Sequence, residues 1–427
     1  MEIKELYKLF TNSSGVCTDT RQIKQNCLFF CLKGEHFNGN TFAKNAIEEG
    51  ASYSIIDEKE HQSENTILVD NVLETLQKLA NHHRKQFNIP FISITGTNGK
   101  TTSKELINTV LSQHYKTYCT QGNLNNHIGV PLTLLSIKKD CEIAIIEMGA
   151  NHIGEINKLC QIAEPNYGII TNIGTAHIEG FGSKEGVMQT KNEMYNFISK
   201  NGKLIFTNND DALLQKLSNS LNKYTYGKVD ADCVASLLSE TPTIKLNWNK
   251  SDINSTLYGA YNFYNILLAI CVGQYFKVPN DKIIKGIETY VSQNNRSQLI
   301  QLNNIDIYLD AYNANPSSMN VAIDSFASNS SVNKLMILGD MLELGSISKT
   351  EHQNIIDKAN ALKIETYFVG TEFYNAQEKY NFNYFKNTDE LLSWIEKNEI
   401  EKNSILIKGS RGIKLEKVAE YLQKKLH

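Results

Sequence analysis

The chain has 427 residues, too many for one ordinary hydrophobic core, so more than one domain is expected. With 41% hydrophobic residues, 21% charged residues and a formal net charge of -3, it reads as a globular protein without the broad basic footprint of a nucleic-acid binder. No run of about 18 apolar residues occurs, the start "MEIKELYKLF" lacks the apolar stretch of a secretory leader, and the 8 cysteines are scattered; no membrane insertion, export or zinc cluster is expected.

Residues 1–88 mix short apolar strands, glycine turns and an amphipathic helix around Thr41–Glu49, and close with the helically spaced "VLETLQKLANHHRKQF". From Phe91 the apolar strands "FISIT", "KTYCT", "EIAIIEM", "YGIITNI" and "KLIFTN" alternate with helical stretches, which predicts a doubly wound, mostly parallel sheet covered on both faces. Residues 224 to 257 carry shorter strand-like pieces, and a helix follows from Tyr261. A second α/β series, "IDIYLDAY", "KLMILGD", "TYFVG" and "SILIKGS", fills the rest. The predicted fold is α/β in three domains: a small α/β unit over 1–88, a central P-loop unit over 89–295, and a Rossmann-like unit over 296–427.

"ISITGTNGKTTSKELI" runs from a buried-type strand through a glycine turn into a helix. A longer P-loop would place its first glycine at Ile94, so only the core Gly99-Lys100-Thr101 matches. Lys100 at a helix start opposes the macrodipole, a conflict that a bound anion resolves. Phosphates would lie on the backbone N–H groups of Gly96, Thr97, Asn98, Gly99 and Thr102, with Lys100 on the terminal phosphoryl and Thr101 on Mg²⁺. Glu147 closes the neighbouring strand "EIAIIE", where a doubly wound fold gathers its ligands; the alternative is a solvated strand-end carboxylate.

"GTNGKTT" together with "GNLNNHIGVPLTLL", "IIEMGANHIGEI", "TNIGTAHIEGFGSKEGVMQTKNEMY", "YGAYNFYNILLAI", "LDAYNANPSSM", "LGDMLELG" and "IKGSRG" resembles the Mur ligases of peptidoglycan assembly, in family order and over nearly the whole chain. Within the family, "LNNHIGVPLTLL", "AHIEGFGS", "AYNANP" and "LGDMLELG" resemble the branch that adds D-alanyl-D-alanine to a UDP-N-acetylmuramoyl (UDP-MurNAc) tripeptide. The resemblance implies a cytoplasmic, monomeric, ATP- and Mg²⁺-dependent ligase working through an acyl phosphate. A sister ligase adding the third peptide residue, a folylpolyglutamate-synthase-like enzyme and a P-loop ATPase or switch are the alternatives.

By that resemblance Thr101, Glu147 and His177 bind metal, and Lys191 joins them as a carbamate; taken alone, a lone His is more often structural and a helix lysine a solvated charge. Asn262 and Asn265, on one helix face, would meet adenine, with helix capping as the other reading of Asn262. Arg296 and Asp310 match contacts to ATP phosphates and ribose. Asn125, Asn126, Tyr312, Asn313 and Asn315 would line the peptide or phosphate region, and Lys408 and Arg411 would hold substrate or the closed form. Asp19, Thr20, Arg21, Asn38 and Gly39 match the uridine-nucleotide region, though an ordinary turn is nearly as good for the last pair. Tyr261 stands where the family often has His, and Asp-Thr-Arg and Asn-Gly-Asn replace the commoner Asp-Ser-Arg and Asp-Gly-His. Because nucleotide groups come from two domains, a hinge near Gln293–Gln298 and an open form without ligands are expected.

Overall fold

The computed structural model describes residues 1–175, 178–303, 305–377 and 379–426, excluding the side chains of Ile178 and Leu426. Near the N-terminus, strands Val16–Cys17, Leu28–Phe30, Tyr53–Ile56 and Thr66–Leu68 form a parallel sheet in chain order. The helix Val72–Arg84 follows; it buries Leu76, Leu79 and Ala80 and is capped by the Asn71 carboxamide, which accepts the Glu74 N–H at 2.9 Å.

The central sheet is larger than the sequence reading suggested. Its order is Cys233–Val234, Lys223–Gly227, Leu204–Asn208, Tyr167–Ile170, Phe91–Thr95, Ile143–Glu147, Thr117–Cys119, all parallel. The strands Phe91–Thr95 and Ile143–Glu147 are buried at every position, as β-branched strands with helices on both faces should be. The chain runs from Phe91–Thr95 outward to Thr117–Cys119, back to Ile143–Glu147, then across to Tyr167–Ile170. Strand order therefore reverses at Phe91–Thr95, and the crevice at its carboxyl end is where such sheets bind ligands. Residues 236–254, read only as strand-like, form a separate antiparallel sheet of Ser236–Ser239, Lys245–Trp248 and Ser251–Asn254.

The third sheet runs Gln298–Leu302, Ile305–Asp310, Ser404–Lys408, Lys334–Gly339, Glu365–Val369, Asn383–Phe385, parallel except for its first, hairpin-paired strand. It is joined to the centre by a segment in which Asn294, Asn295 and Ser297 take left-handed φ of 61°, 56° and 43°, consistent with a hinge there. In this structure the third unit is closed against the central one. Tyr258 from the central unit is buried in the third unit's core with Met319, Phe326 and Met336, edge-on to Tyr308 at 4.9 Å, and the P-loop is hydrogen-bonded to the third unit. Apolar burial plus paired amides favours contact over separation.

Candidate active site

Two glycines shape the phosphate turn. Gly96 has φ +144° and lies so close to Thr171 that a Cβ would stand 2.0 Å from its hydroxyl. Gly99 has φ +77°, and a Cβ there would meet the Asn265 carboxamide oxygen at 2.6 Å. Side chains are thus excluded on conformational and steric grounds alike. The turn is braced from the adjacent strand's end: Asn172 accepts the Asn98 N–H at 3.0 Å, the Thr171 hydroxyl donates to the Asn98 carbonyl at 2.7 Å, and the Thr97 hydroxyl accepts the Gly174 N–H at 2.9 Å. Neither Thr171 nor Asn172 was singled out from sequence; the signal is polar residues placed directly after a buried strand.

Lys100, first residue of the helix Lys100–Leu111, donates to the carbonyls of Gly96 at 2.7 Å and Thr97 at 3.0 Å, so its ammonium is held over the turn. Burial pushes this amine down to about 8, Glu147 opposes that shift and Arg296 adds to it. Thr101 and Thr102 are buried just inside the helix. The Thr101 hydroxyl donates to Glu147 Oε1 at 3.2 Å, and the Asn125 amide donates to the same oxygen at 2.8 Å. Glu147 Oε2 is buried and accepts no hydrogen bond among the described residues. Lys191 lies inside the helix Lys184–Asn201 and is 3% exposed, with Nζ 5.5 Å from the Phe181 ring centroid. Burial, then the Lys100 charge, pushes its amine down to about 7 against the pull of Glu155 and Glu193. His177 lies outside the described residues.

Lys100, Thr101, Asn125, Glu147 and Lys191 line a cavity of about 1600 Å³ between the three units. Across it the third unit presents Arg296, Asp310, Tyr312, Asn313, Asn315 and Lys408. The Arg296 and Arg411 guanidiniums lie over the Tyr312 ring, 3.6 and 5.3 Å from its centroid, and Arg296 Nε is buried without a hydrogen-bond partner among the described residues. Asn315 caps the helix Pro316–Ala327 and donates to Asn98 Oδ1 at 2.8 Å, while Asn98 donates to the Ser317 hydroxyl at 2.9 Å. Ser317 is a further residue the sequence reading missed.

Several of the residues expected to meet ligand are also bonded within the cavity wall. Asp310 and Lys408, neighbours across paired strands, form an ion pair at 2.5 Å on the cavity wall. Asn262 donates to the Tyr258 carbonyl at 2.7 Å, accepts from Asn265 at 2.8 Å, and Asn265 accepts the Ser103 hydroxyl at 3.0 Å. The pair ties the P-loop helix to the helix Asn262–Tyr275, and Asn262 is not that helix's cap. The Asn126 oxygen accepts the N–H groups of Ile128 and Gly129 at 3.1 and 2.8 Å, and Asn313 accepts its neighbour's N–H. Tyr261 is tied to Ser297 at 3.1 Å, where the family's His was noted.

The first unit's expected residues do not line the cavity. Asp19 accepts the Arg21 N–H and is bonded to the Arg21 guanidinium at 2.8 Å, which holds its carboxyl down at about 2; Thr20 begins that same turn. Asn38 bonds Asn40 and Glu58, and a Cβ on Gly39 would meet the Leu32 carbonyl at 2.3 Å, so these two serve a turn. The wall on this side comes from Gln77, Lys78, Asn81 and His82 of the helix Val72–Arg84, facing Glu155 and Lys158, none of which was singled out.

Comparison with known proteins accounts for the arrangement. Residues 12–94 match the Mur ligase family catalytic domain, 94–273 the Mur ligase middle domain and 295–411 the Mur ligase glutamate ligase domain. The chain belongs to the Mur ligase family. It is 36% identical to the UDP-N-acetylmuramoyl-tripeptide--D-alanyl-D-alanine ligase of Bacillus subtilis, over 96% of this chain and 93% of the relative. MurF from Acinetobacter baumannii superposes with a TM-score of 0.86 at 28% identity, covering 98% of each chain. MurF from Thermotoga maritima in complex with ADP gives 0.84 at 27%, covering 96% and 97%. The three-domain α/β expectation and the Mur ligase resemblance are thus borne out. No helix among the described residues is long and apolar enough to cross a membrane.

Proposed function

We propose that this Mur ligase joins D-alanyl-D-alanine to UDP-MurNAc-tripeptide with conversion of ATP to ADP and phosphate. The observation that carries it is the convergence, in one cavity, of Lys100, Thr101 and Glu147 with Arg296 of the segment that joins the second and third units. Cations and oxygen ligands suit phosphoryl transfer between anions, which is a problem of positioning and charge neutralisation. Lys100 and Arg296 hold the terminal phosphoryl while an oxygen of the tripeptide's terminal carboxylate attacks phosphorus. The bond to ADP breaks and an acyl phosphate forms. The dipeptide amine then attacks the acyl carbon, loses a proton, and phosphate departs. Contact between the third unit and the P-loop keeps water from the acyl phosphate.

Mg²⁺ fits the residues present: the buried Glu147 carboxylate turns Oε1 to the cavity side, with the Thr101 hydroxyl 3.2 Å away, a hard-oxygen set. When bound there, the ion neutralises charge on the nucleotide phosphates. Lys191, with its amine near neutrality and buried, suits carbamate formation, which needs the uncharged amine and turns a cation into an oxygen ligand. We assign residues 1–88 to the uridine substrate, 89–295 to ATP and 296–427 to the dipeptide, in a cytoplasmic monomer. The test is ADP release with each substrate omitted in turn. Release that requires both UDP-MurNAc-tripeptide and D-alanyl-D-alanine supports the reading; release without them, or with a free amino acid and UDP-MurNAc-dipeptide, overturns it.

A further inference from the structure

Lys104 sits one turn below Lys100 on the P-loop helix and is 1% exposed, a buried cation with no part in holding phosphate. Its ammonium donates to the Thr120 carbonyl at 2.7 Å and stands 3.8 Å from both Glu147 Oε2 and Glu105 Oε1. Glu105 is drawn the other way by Tyr290, whose hydroxyl donates to Oε2 at 2.8 Å. Thr120 holds both partners at once, since its hydroxyl accepts the Glu147 N–H at 2.9 Å. Glu147 therefore has two differently furnished oxygens. Oε1 receives Thr101 and Asn125 on the cavity side, whereas Oε2 is buried, without a hydrogen bond among the described residues, and faces the Lys104 charge.

We propose that Lys104 is a positioning residue for Glu147: its buried charge anchors Oε2 inward and so presents Oε1 to the divalent cation of the nucleotide complex. This rests on the metal role of Glu147 given under Proposed function. Without the ammonium, Oε2 has no charge to face, the carboxylate is no longer anchored at its inner end, and Oε1 is no longer held in place for the ion. Partners that orient a metal ligand are typically worth about 10–100-fold in metal affinity.

The test is Mn²⁺ binding by the full chain in the presence of ADP, followed by electron paramagnetic resonance, with no turnover required. Lys104→Met keeps the stem without the charge; Lys104→Gln keeps a donor for the Thr120 carbonyl and carries the measurement if the first variant does not fold. Either should weaken Mn²⁺ binding at least tenfold with little change in ADP affinity measured without metal. Added to Glu147→Gln, it should cause no further loss, because it acts through that carboxylate. Normal Mn²⁺ binding by a folded neutral variant, or a full additional loss in the double variant, overturns the role of Lys104 alone. Binding that Glu147→Gln leaves unchanged overturns the metal assignment and this inference with it.

Discussion

Replacing Lys191 by Met should stabilise the protein while abolishing its activity. The amine is 3% exposed, and burial together with Lys100 holds it at about 7 where an ordinary lysine stands at 10.5. At 1.36 kcal/mol per decade, that corresponds to about 5 kcal/mol against the buried cation. Side-chain relaxation and water entry relieve part of it, so a gain of about 1–3 kcal/mol on removing the charge is expected. Below about pH 7 both folded and unfolded chains carry the proton and the penalty is complete. Between about 7 and 10.5 only the unfolded chain binds it, so wild-type stability rises with pH across this window. Lys191→Met lacks that rise, and its advantage should be largest near pH 6.5 and shrink toward pH 9.5. The assay is thermal unfolding at both pH values in bicarbonate-free, argon-purged buffer, which prevents carbamate formation; a rise in Tm of roughly 2–6 °C is expected at the lower pH. A variant less stable than wild type at pH 6.5, or an advantage equal at both pH values, would refute the reasoning.

Lys100→Ala should lower kcat/KM by about 10³-fold or more, through lost charge stabilisation at the transferring phosphoryl, with an unchanged circular dichroism spectrum; near-normal turnover would remove the phosphate-site assignment. Lys191→Ala should be nearly inactive yet regain part of its turnover with added formate or acetate, whereas Lys191→Arg should not, because guanidinium keeps its charge and forms no carbamate. Asn315→Ala removes both a helix cap, worth about 1 kcal/mol, and the bond to Asn98. Small-angle scattering should show it expanded relative to wild type, and equal radii would mean that this contact does not hold the units together.

Much of the scaffold was legible because buried parallel strands leave few alternatives: "FISIT" is the observed strand Phe91–Thr95, and "EIAIIEM" contains Ile143–Glu147. Edge strands were harder. "KYTYG" in the central sheet is only partly buried and "QLIQL" in the third is half-buried, so neither carries an unbroken apolar run, and both sheets were read as narrower than they are. Lys100, Thr101 and Glu147 could be found because a glycine turn and a strand-end carboxylate are local signals. Lys104 could not, since a lysine at a helical position ordinarily reads as solvated and its partners come from other strands. Asp310 and Lys408 were each legible as charged residues at strand ends, but their mutual pairing follows from sheet order, which places their strands side by side. The bond between the Asn262 and Asn265 amides was not legible, because helix periodicity gives a shared face and not what each side chain meets there.

The acyl-phosphate ligation itself is tested most directly by isotope transfer. UDP-MurNAc-tripeptide labelled with ¹⁸O in its terminal carboxylate is turned over with ATP and D-alanyl-D-alanine, and the released phosphate is analysed by mass spectrometry. Attack of the carboxylate on phosphorus requires one labelled oxygen to appear in each phosphate, in step with pentapeptide formation. Unlabelled phosphate, or phosphate that instead acquires its oxygen from ¹⁸O-water, would mean that the nucleotide is hydrolysed without activating the peptide.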